Sequence, residues 1–182
     1  ASTFQKLDFN RKTQPYKTSL DIARLIILNF APNISSGKEK MLALLFNMND
    51  LWEEYVLVKL KDLNVKGLEV KGQESKSFWN GIKIRPDMVI RTLKSTYIID
   101  TKWKNIGNTK PSTHDLRQMY VYNEYWSSFH ALLLYPALET EEPEFISFED
   151  DKNHHCAIGK LNILSEEKLN ENIGEEIMQW FT

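Results

Sequence analysis

"RPDMVIRTLKSTYIIDTKWK", residues 85–104, holds two aspartates thirteen positions apart, Asp87 and Asp100, and a lysine, Lys102, two residues after the second. Ile82, Ile84, Met88 and Ile90 alternate with Lys83, Arg85, Asp87 and Arg91, a period of two that predicts a strand over about 81–91. A second strand is predicted over 96–103. Side chains alternate along a strand, so Asp100 and Lys102 share one face and Ile99 and Thr101 the other, while Asp87 shares its face with Lys83, Arg85 and Val89. If the two strands are hairpin neighbours, Asp87 and Asp100 converge. Carboxylates that close repel each other. The usual resolution is a hard divalent cation with oxygen ligands, Mg²⁺ being the common choice beside phosphates. Lys102 would then stand next to the metal and any phosphoryl group, able to orient an attacking water. The alternative is a structural salt bridge of Asp100 or Asp87 with Lys102 or Arg85.

Working outward, "TSLDIARLIILNF" at 18–30 predicts a helix that stops before Pro32, and Ser35, Ser36 and Gly37 a loop. Apolar residues at helical spacing predict a long helix from about Lys38 to Leu63, followed by a weak strand near Val65 to Val70. Beyond the central stretch, "NIGNTKPST" is a loop ending at a helix cap, Ser112 or Thr113, with a helix over about 113–127. "HALLLYP" at 130–136 is a fully apolar strand, with further strands near 144–149 and 156–163 and a closing helix from Ser165. The order predicts an α/β domain with a central mixed sheet flanked by helices. At 182 residues one domain is expected, with a helical lead-in at 1–37, a core at 38–136 and an acidic extension at 137–182. Opening on Ala1 is what a fragment or a processed chain would show.

The single cysteine, Cys156, excludes an internal disulfide and fits a reducing cytosol. No apolar run reaches the roughly 20 residues that span a bilayer. A net charge of −2 conceals an asymmetry. From Lys59 to Arg117 thirteen Lys/Arg stand against six Asp/Glu; from Glu139 to Glu176 three stand against twelve. A basic middle around the aspartate pair suits a polyanionic partner.

At about 100° per residue, Glu53 falls on the helical stripe of Leu42, Phe46, Val56, Leu57 and Leu60, and Glu54 on the polar side with Lys40, Asn47, Asp50 and Lys61. A carboxylate on a core-facing stripe is costly unless paired or metal-bound. Gln118 and Tyr122 are one turn apart on the later helix and could hold water and a phosphate or base at the edge of the site.

Taken together these residues resemble the PD-(D/E)xK nuclease superfamily, here as "RPD" at 85–87 and "IIDTK" at 98–102. More closely, the chain is similar to the nuclease domain of the McrC subunit of McrBC-type modified-cytosine restriction systems. The closer match rests on "YKTSLDIARLIIL" (16–28), "FNMNDLWEEYV" (46–56), "DLRQMYVY" (115–122) and "LLLYP" (132–136). The resemblance implies a PD-(D/E)xK fold and a Mg²⁺-dependent endodeoxyribonuclease, with Mn²⁺ able to substitute, leaving 5′-phosphate and 3′-hydroxyl ends. It puts metal on Asp87, Asp100 and the Thr101 backbone carbonyl, with Glu53 direct or through water. Lys102 would orient the water and Gln118 support it. Lys83, Arg85, Lys104, Arg117 and Tyr122 would contact DNA. The implied partners are DNA, a separate AAA+ GTPase motor and a second copy for double-strand cleavage, in the cytoplasm of a bacterium or archaeon, as antiviral defence. On this resemblance, the region that the family uses upstream of the nuclease domain to engage its motor is expected to be missing. The rival readings are a standalone repair or recombination nuclease and a catalytically silent DNA-binding module on the same fold.

Other motifs are weaker. "NHHC" at 153–156 lacks the second half of a zinc site and reads as a loop. "SSGKEK" at 35–40 lacks the spacing of a phosphate loop, so no GTP or ATP site is expected. Trp79, Trp103 and Trp126 could stack on bases, or pack.

Overall fold

The structure, a computed structural model, describes residues 47–149, 152–165 and 168–181, with residues 16, 17, 19 and 20. The chain divides into two compact units, Ala1–Phe46 and Asn47–Thr182. Apart from Ser19 and Leu20, the expected helix at 18–30 lies outside the described residues, as do the loop at 35–37, "SSGKEK" and the first part of the expected long helix.

The second unit opens with α1 (Met48–Asp62). Asn47, extended at φ −71° and ψ 106°, caps it by accepting from the Asn49 N–H at 3.1 Å. The helix therefore starts at Met48 rather than near Lys38, because the Asn47 carboxamide satisfies a first-turn donor that a continuous helix would not leave open. Leu42 and Phe46 of the expected stripe lie before it, outside the described residues.

There follow β1 (Glu69–Gly72), β2 (Lys76–Trp79), β3 (Ile82–Ile84), β4 (Met88–Arg91), β5 (Thr96–Thr101), α2 (Thr113–Trp126), β6 (His130–Ala137), β7 (Ile146–Ser147), β8 (His155–Asn162), β9 (Leu164–Ser165), β10 (Lys168–Leu169) and α3 (Ile173–Gln179). Six strands form one mixed sheet in the order β1-β4-β5-β6-β8-β7. β1, β4 and β5 pair antiparallel, β5, β6 and β8 parallel, and β7 antiparallel on the far edge. From Ala131 onward β6 is apolar because both faces of the sheet are covered. Met88, Ile90, Ile99, Leu132 and Leu134 face Trp52, Val56 and Leu60 of α1 and Ile173 and Ile177 of α3. Val89, Ile98, Ala131, Leu133 and Tyr135 face Met119, Tyr122 and Trp126 of α2. Gly174 lets α3 close on α1, since a Cβ there would lie 2.4 Å from the Lys59 carbonyl oxygen.

Several expectations are corrected. The strand expected over 81–91 is two strands, β3 and β4, separated by Arg85, Pro86 and Asp87. Pro86 has no N–H to give a ladder and ends the pairing. Asp87 therefore stands just outside β4, and no continuous strand gives it a common face with Lys83 and Arg85. β3 pairs with β2 in a separate two-stranded sheet. The weak strand expected at 65–70 forms at Glu69–Gly72. The closing helix begins at Ile173, not Ser165, because β9 and β10 form a hairpin first.

Candidate active site

The β4–β5 ladder pairs Met88 with Ile99, and the same register carried one residue outward sets Asp87 opposite Asp100. The two carboxylates meet at this end of the sheet by different routes. Asp87 Oδ2 accepts from the Thr101 N–H at 2.6 Å and the Thr101 hydroxyl at 2.8 Å. Asp100, on the α2 side of β5, is 1 % exposed. Its Oδ1 accepts from Gln118 Nε2 at 3.3 Å. Its Oδ2 forms an ion pair with Lys102 Nζ but lines up with no hydrogen-bond donor. Lys102 is placed by its own N–H, which donates to the Leu134 carbonyl at 2.9 Å just past the end of β5.

The electrostatics follow. Burial, then repulsion from Asp87, pushes the Asp100 carboxyl up to about 7, with Lys102 opposing. Burial pulls the Lys102 ammonium down, but Asp100, Asp87 and Asp115 outweigh it and the net direction is up. Glu53, half-buried on α1, accepts from Gln73 Nε2 at 2.6 Å, and burial raises its carboxyl. Gln73 was not anticipated. It sits in the left-handed region at φ 52°, and its N–H donates to the Asp87 carbonyl at 2.8 Å, so one residue ties Glu53 to the aspartate pair. A lone glutamine after Gly72 carries no sequence signal for that role. Glu54 is exposed, as its place on the polar side of the helix requires.

Gln118 Nε2 also donates to the Tyr122 hydroxyl at 2.8 Å, and that hydroxyl donates to the Arg85 carbonyl at 2.8 Å. Tyr122 is thus a brace between α2 and the Pro86 break, although one side of it borders a cleft of about 800 Å³. Lys83, Arg85, His114 and Arg117 line this cleft with Gln73 and Gln118. Lys104 does not; it pairs with Asp115 at 3.3 Å and borders a different cavity. Ser112 caps α2 by accepting from the Asp115 N–H, and burial of Asp115 is outweighed by Ser112 and Lys104, which hold its carboxyl low.

The remaining motifs resolve simply. His155 and Cys156 belong to β8 rather than a loop, and burial pushes the Cys156 thiol up to about 12. Trp126 is buried and donates to Glu74 at 2.7 Å; Trp103 packs against Trp52, their ring centroids 6.1 Å apart. Trp79 is 67 % exposed.

Among the described residues, no three Asp, Glu, His or Cys side chains converge as a metal-binding group. That leaves room for Mg²⁺, which is commonly held by one or two carboxylates and keeps several waters. Asp100 Oδ2, buried, ion-paired with Lys102 and beside a second carboxylate, is the acceptor such an ion would use.

The model of the McrBC 5-methylcytosine restriction system component family matches residues 1–136. The chain belongs to this family. Glu53, Asp87, Asp100, Lys102 and Gln118 all lie in the matched stretch, whereas β7 to β10 and α3 lie beyond it. Among solved structures, an assembly of Thermococcus gammatolerans McrB AAA+ hexamers with bound McrC is similar over 100 % of this chain and 42 % of the matched chain, at 16 % identity and a TM-score of 0.57. The McrBC-family chain thus spans less than half of that one, and at this identity the likeness shows the fold. Weaker likenesses, both at 16 % identity, are to the protein of unknown function AF1548 (TM-score 0.36, covering 47 % of this chain and 46 % of that one) and to SSO0001 (TM-score 0.38, 93 % and 69 %). No curated protein matches the chain.

Proposed function

We propose that this McrBC-family chain is a metal-dependent endodeoxyribonuclease domain, the cutting part of a restriction system. One observation carries the reading: a buried carboxylate, Asp100, has a second carboxylate opposite and a lysine ion-paired to its Oδ2, next to a cationic cleft. Asp87, Asp100 and the Thr101 carbonyl would hold Mg²⁺ or Mn²⁺, with Glu53 linked through water. When bound, such an ion stabilises charge on the phosphoryl oxygens and lowers the pKa of water. Lys102 orients the attacking water from the α2 side. Gln118 fixes Asp100 Oδ1, and Tyr122 holds Gln118 in place. Lys83, Arg85 and Arg117 hold the phosphate backbone in the cleft, which gives affinity without base readout.

The chain cuts and leaves the choice of site to a partner. We infer a separate GTP-hydrolysing AAA+ motor, in line with the Thermococcus assembly of McrB hexamers with bound McrC. A second copy would serve the second strand, and the compartment would be the cytoplasm of a bacterium or archaeon, in antiviral defence. Among the described residues no helix is long and apolar enough to cross a membrane. Family membership favours restriction over standalone repair, and the presence of Asp87, Asp100 and Lys102 favours an active over a silent domain. Supercoiled plasmid incubated with the chain and Mg²⁺ tests this. Weak, salt-sensitive nicking, indifferent to methylation and GTP and abolished by EDTA, is expected. EDTA-resistant nicking, or cleavage confined to methylated sites without added protein, would overturn it.

A further inference from the structure

β2 and β3 pair with each other and stand outside the six-stranded sheet. Their last pair is Trp79 with Ile82, joined by Asn80 and Gly81, both at positive φ (39° and 84°) as a two-residue turn demands. A bulge at Phe78 turns that ring onto Tyr125 of α2, centroids 5.6 Å apart, and into the wall of the cationic cleft. Lys76, at the start of the same strand, adds a second tie: its Nζ donates to the Tyr125 carbonyl at 2.6 Å and lies 4.9 Å from the centre of the Trp126 ring. The base of the hairpin is therefore held to α2, while its tip carries a large aromatic 67 % exposed and an isoleucine 53 % exposed.

Apolar side chains on a fixed tip beside a cationic groove are the parts of a DNA wedge. Such side chains enter between base steps and unstack them, while lysine and arginine hold the backbone. We propose that Trp79, with Ile82 next to it, inserts into the base stack of DNA lying in the Lys83–Arg85–Arg117 cleft. It opens a step near the phosphate presented to Asp87 and Asp100. The occupant is nucleic acid because the tip is continuous with the cleft through Phe78, and the charged side chains lining that cleft, Lys83, Arg85 and Arg117, are cations. Stacking on a base face tolerates any sequence, which suits a cutter that does not choose its site. The inference rests on the nuclease reading and adds to it a distorted duplex as the form of the substrate.

The test uses the whole chain in EDTA at low salt with a duplex carrying 2-aminopurine, whose fluorescence rises when it is unstacked. Wild-type protein should produce the rise. Trp79→Ala should abolish it and weaken binding by about fivefold or more, the lower end for one base–aromatic stack, and Trp79→Phe should restore both. Lys83→Ala should weaken binding yet keep the rise at saturation. Wild-type rise and affinity in Trp79→Ala would overturn the wedge and leave the tip to a protein partner, while Mg²⁺-dependent plasmid nicking would still uphold the nuclease reading. A wild-type chain that binds no DNA would overturn both.

Discussion

The β4–β5 hairpin carries a carboxylate–cation pair at each end, and the two pairs are built differently. At the turn end, Arg91 grips Glu74 with both guanidinium nitrogens, at 2.9 and 2.7 Å, and the Trp126 indole adds a third donor at 2.7 Å. The Arg91 guanidinium holds the Glu74 carboxyl below its ordinary value. At the open end, Asp100 has one lysine, one oxygen without a hydrogen bond and a second carboxylate opposite, and its carboxyl is pushed up to about 7. The first pair is a saturated structural clamp. The second is a buried carboxylate held by one lysine with a second carboxylate opposite, and on the proposed reading it is where a cation would sit.

The largest expected effect is on chemistry at the open end. Asp100→Ala and Lys102→Ala should each lower cleavage by roughly 10²–10⁴-fold while circular dichroism and DNA binding stay near wild type. A folded Lys102→Ala protein nicking plasmid at the parental rate would reduce the open end to a second clamp.

Stability should split the two ends in opposite directions. Glu74→Ala should destabilise by ~1–2 kcal/mol, the value of charged hydrogen bonds discounted for a partly exposed pair. Asp100→Asn should stabilise the metal-free protein. The folded carboxyl titrates near 7 against an ordinary 3.8, so below about pH 4 it is protonated in both states and costs nothing. The cost of ionising it grows from there to about pH 7 and is constant above. The gain from Asp100→Asn should thus be near zero at pH 4 and of the order of 4 kcal/mol at pH 8, at about 1.36 kcal/mol per pH unit of a shift that already includes the Lys102 attraction. Urea melts at the two pH values read it directly. A loss at pH 8 as large as that of Glu74→Ala would erase the contrast.

Smaller still is the expected effect at Glu53. Glu53→Gln should slow cleavage by roughly tenfold and raise the Mg²⁺ requirement, as for loss of one supporting group around a metal site. Glu54→Gln, exposed on the same helix, should do neither. Equal effects would mean that the Gln73 link does not bring Glu53 into the site.

The meeting of Asp87 and Asp100 is legible in the sequence because antiparallel register and side-chain alternation leave them little choice once two apolar strands are recognised. Glu53 and Glu54 separate by helical angle alone, and Ser112 announces α2 through its capping chemistry. The break at Arg85–Asp87 is less legible, because alternation runs through it unbroken and only Pro86 objects. The Asn80–Gly81 turn is a hairpin signal that goes unread when the strand is taken to open at Gly81 with no partner strand before it. Gln73 has no signal at all. Its role depends on a left-handed backbone and on two neighbours distant in sequence, Glu53 and Asp87, which exist together only after the sheet has formed.

Titrating Mn²⁺ into wild-type and Asp100→Asn protein by calorimetry at pH 8 and pH 6 addresses the account most directly. A Mn²⁺ site in the wild type at pH 8, weakened about tenfold at pH 6 as protons compete for a carboxyl near 7 and absent in Asp100→Asn, is the predicted result. Mn²⁺ binding in Asp100→Asn indistinguishable from wild type, or none in the wild type at pH 8, would contradict it.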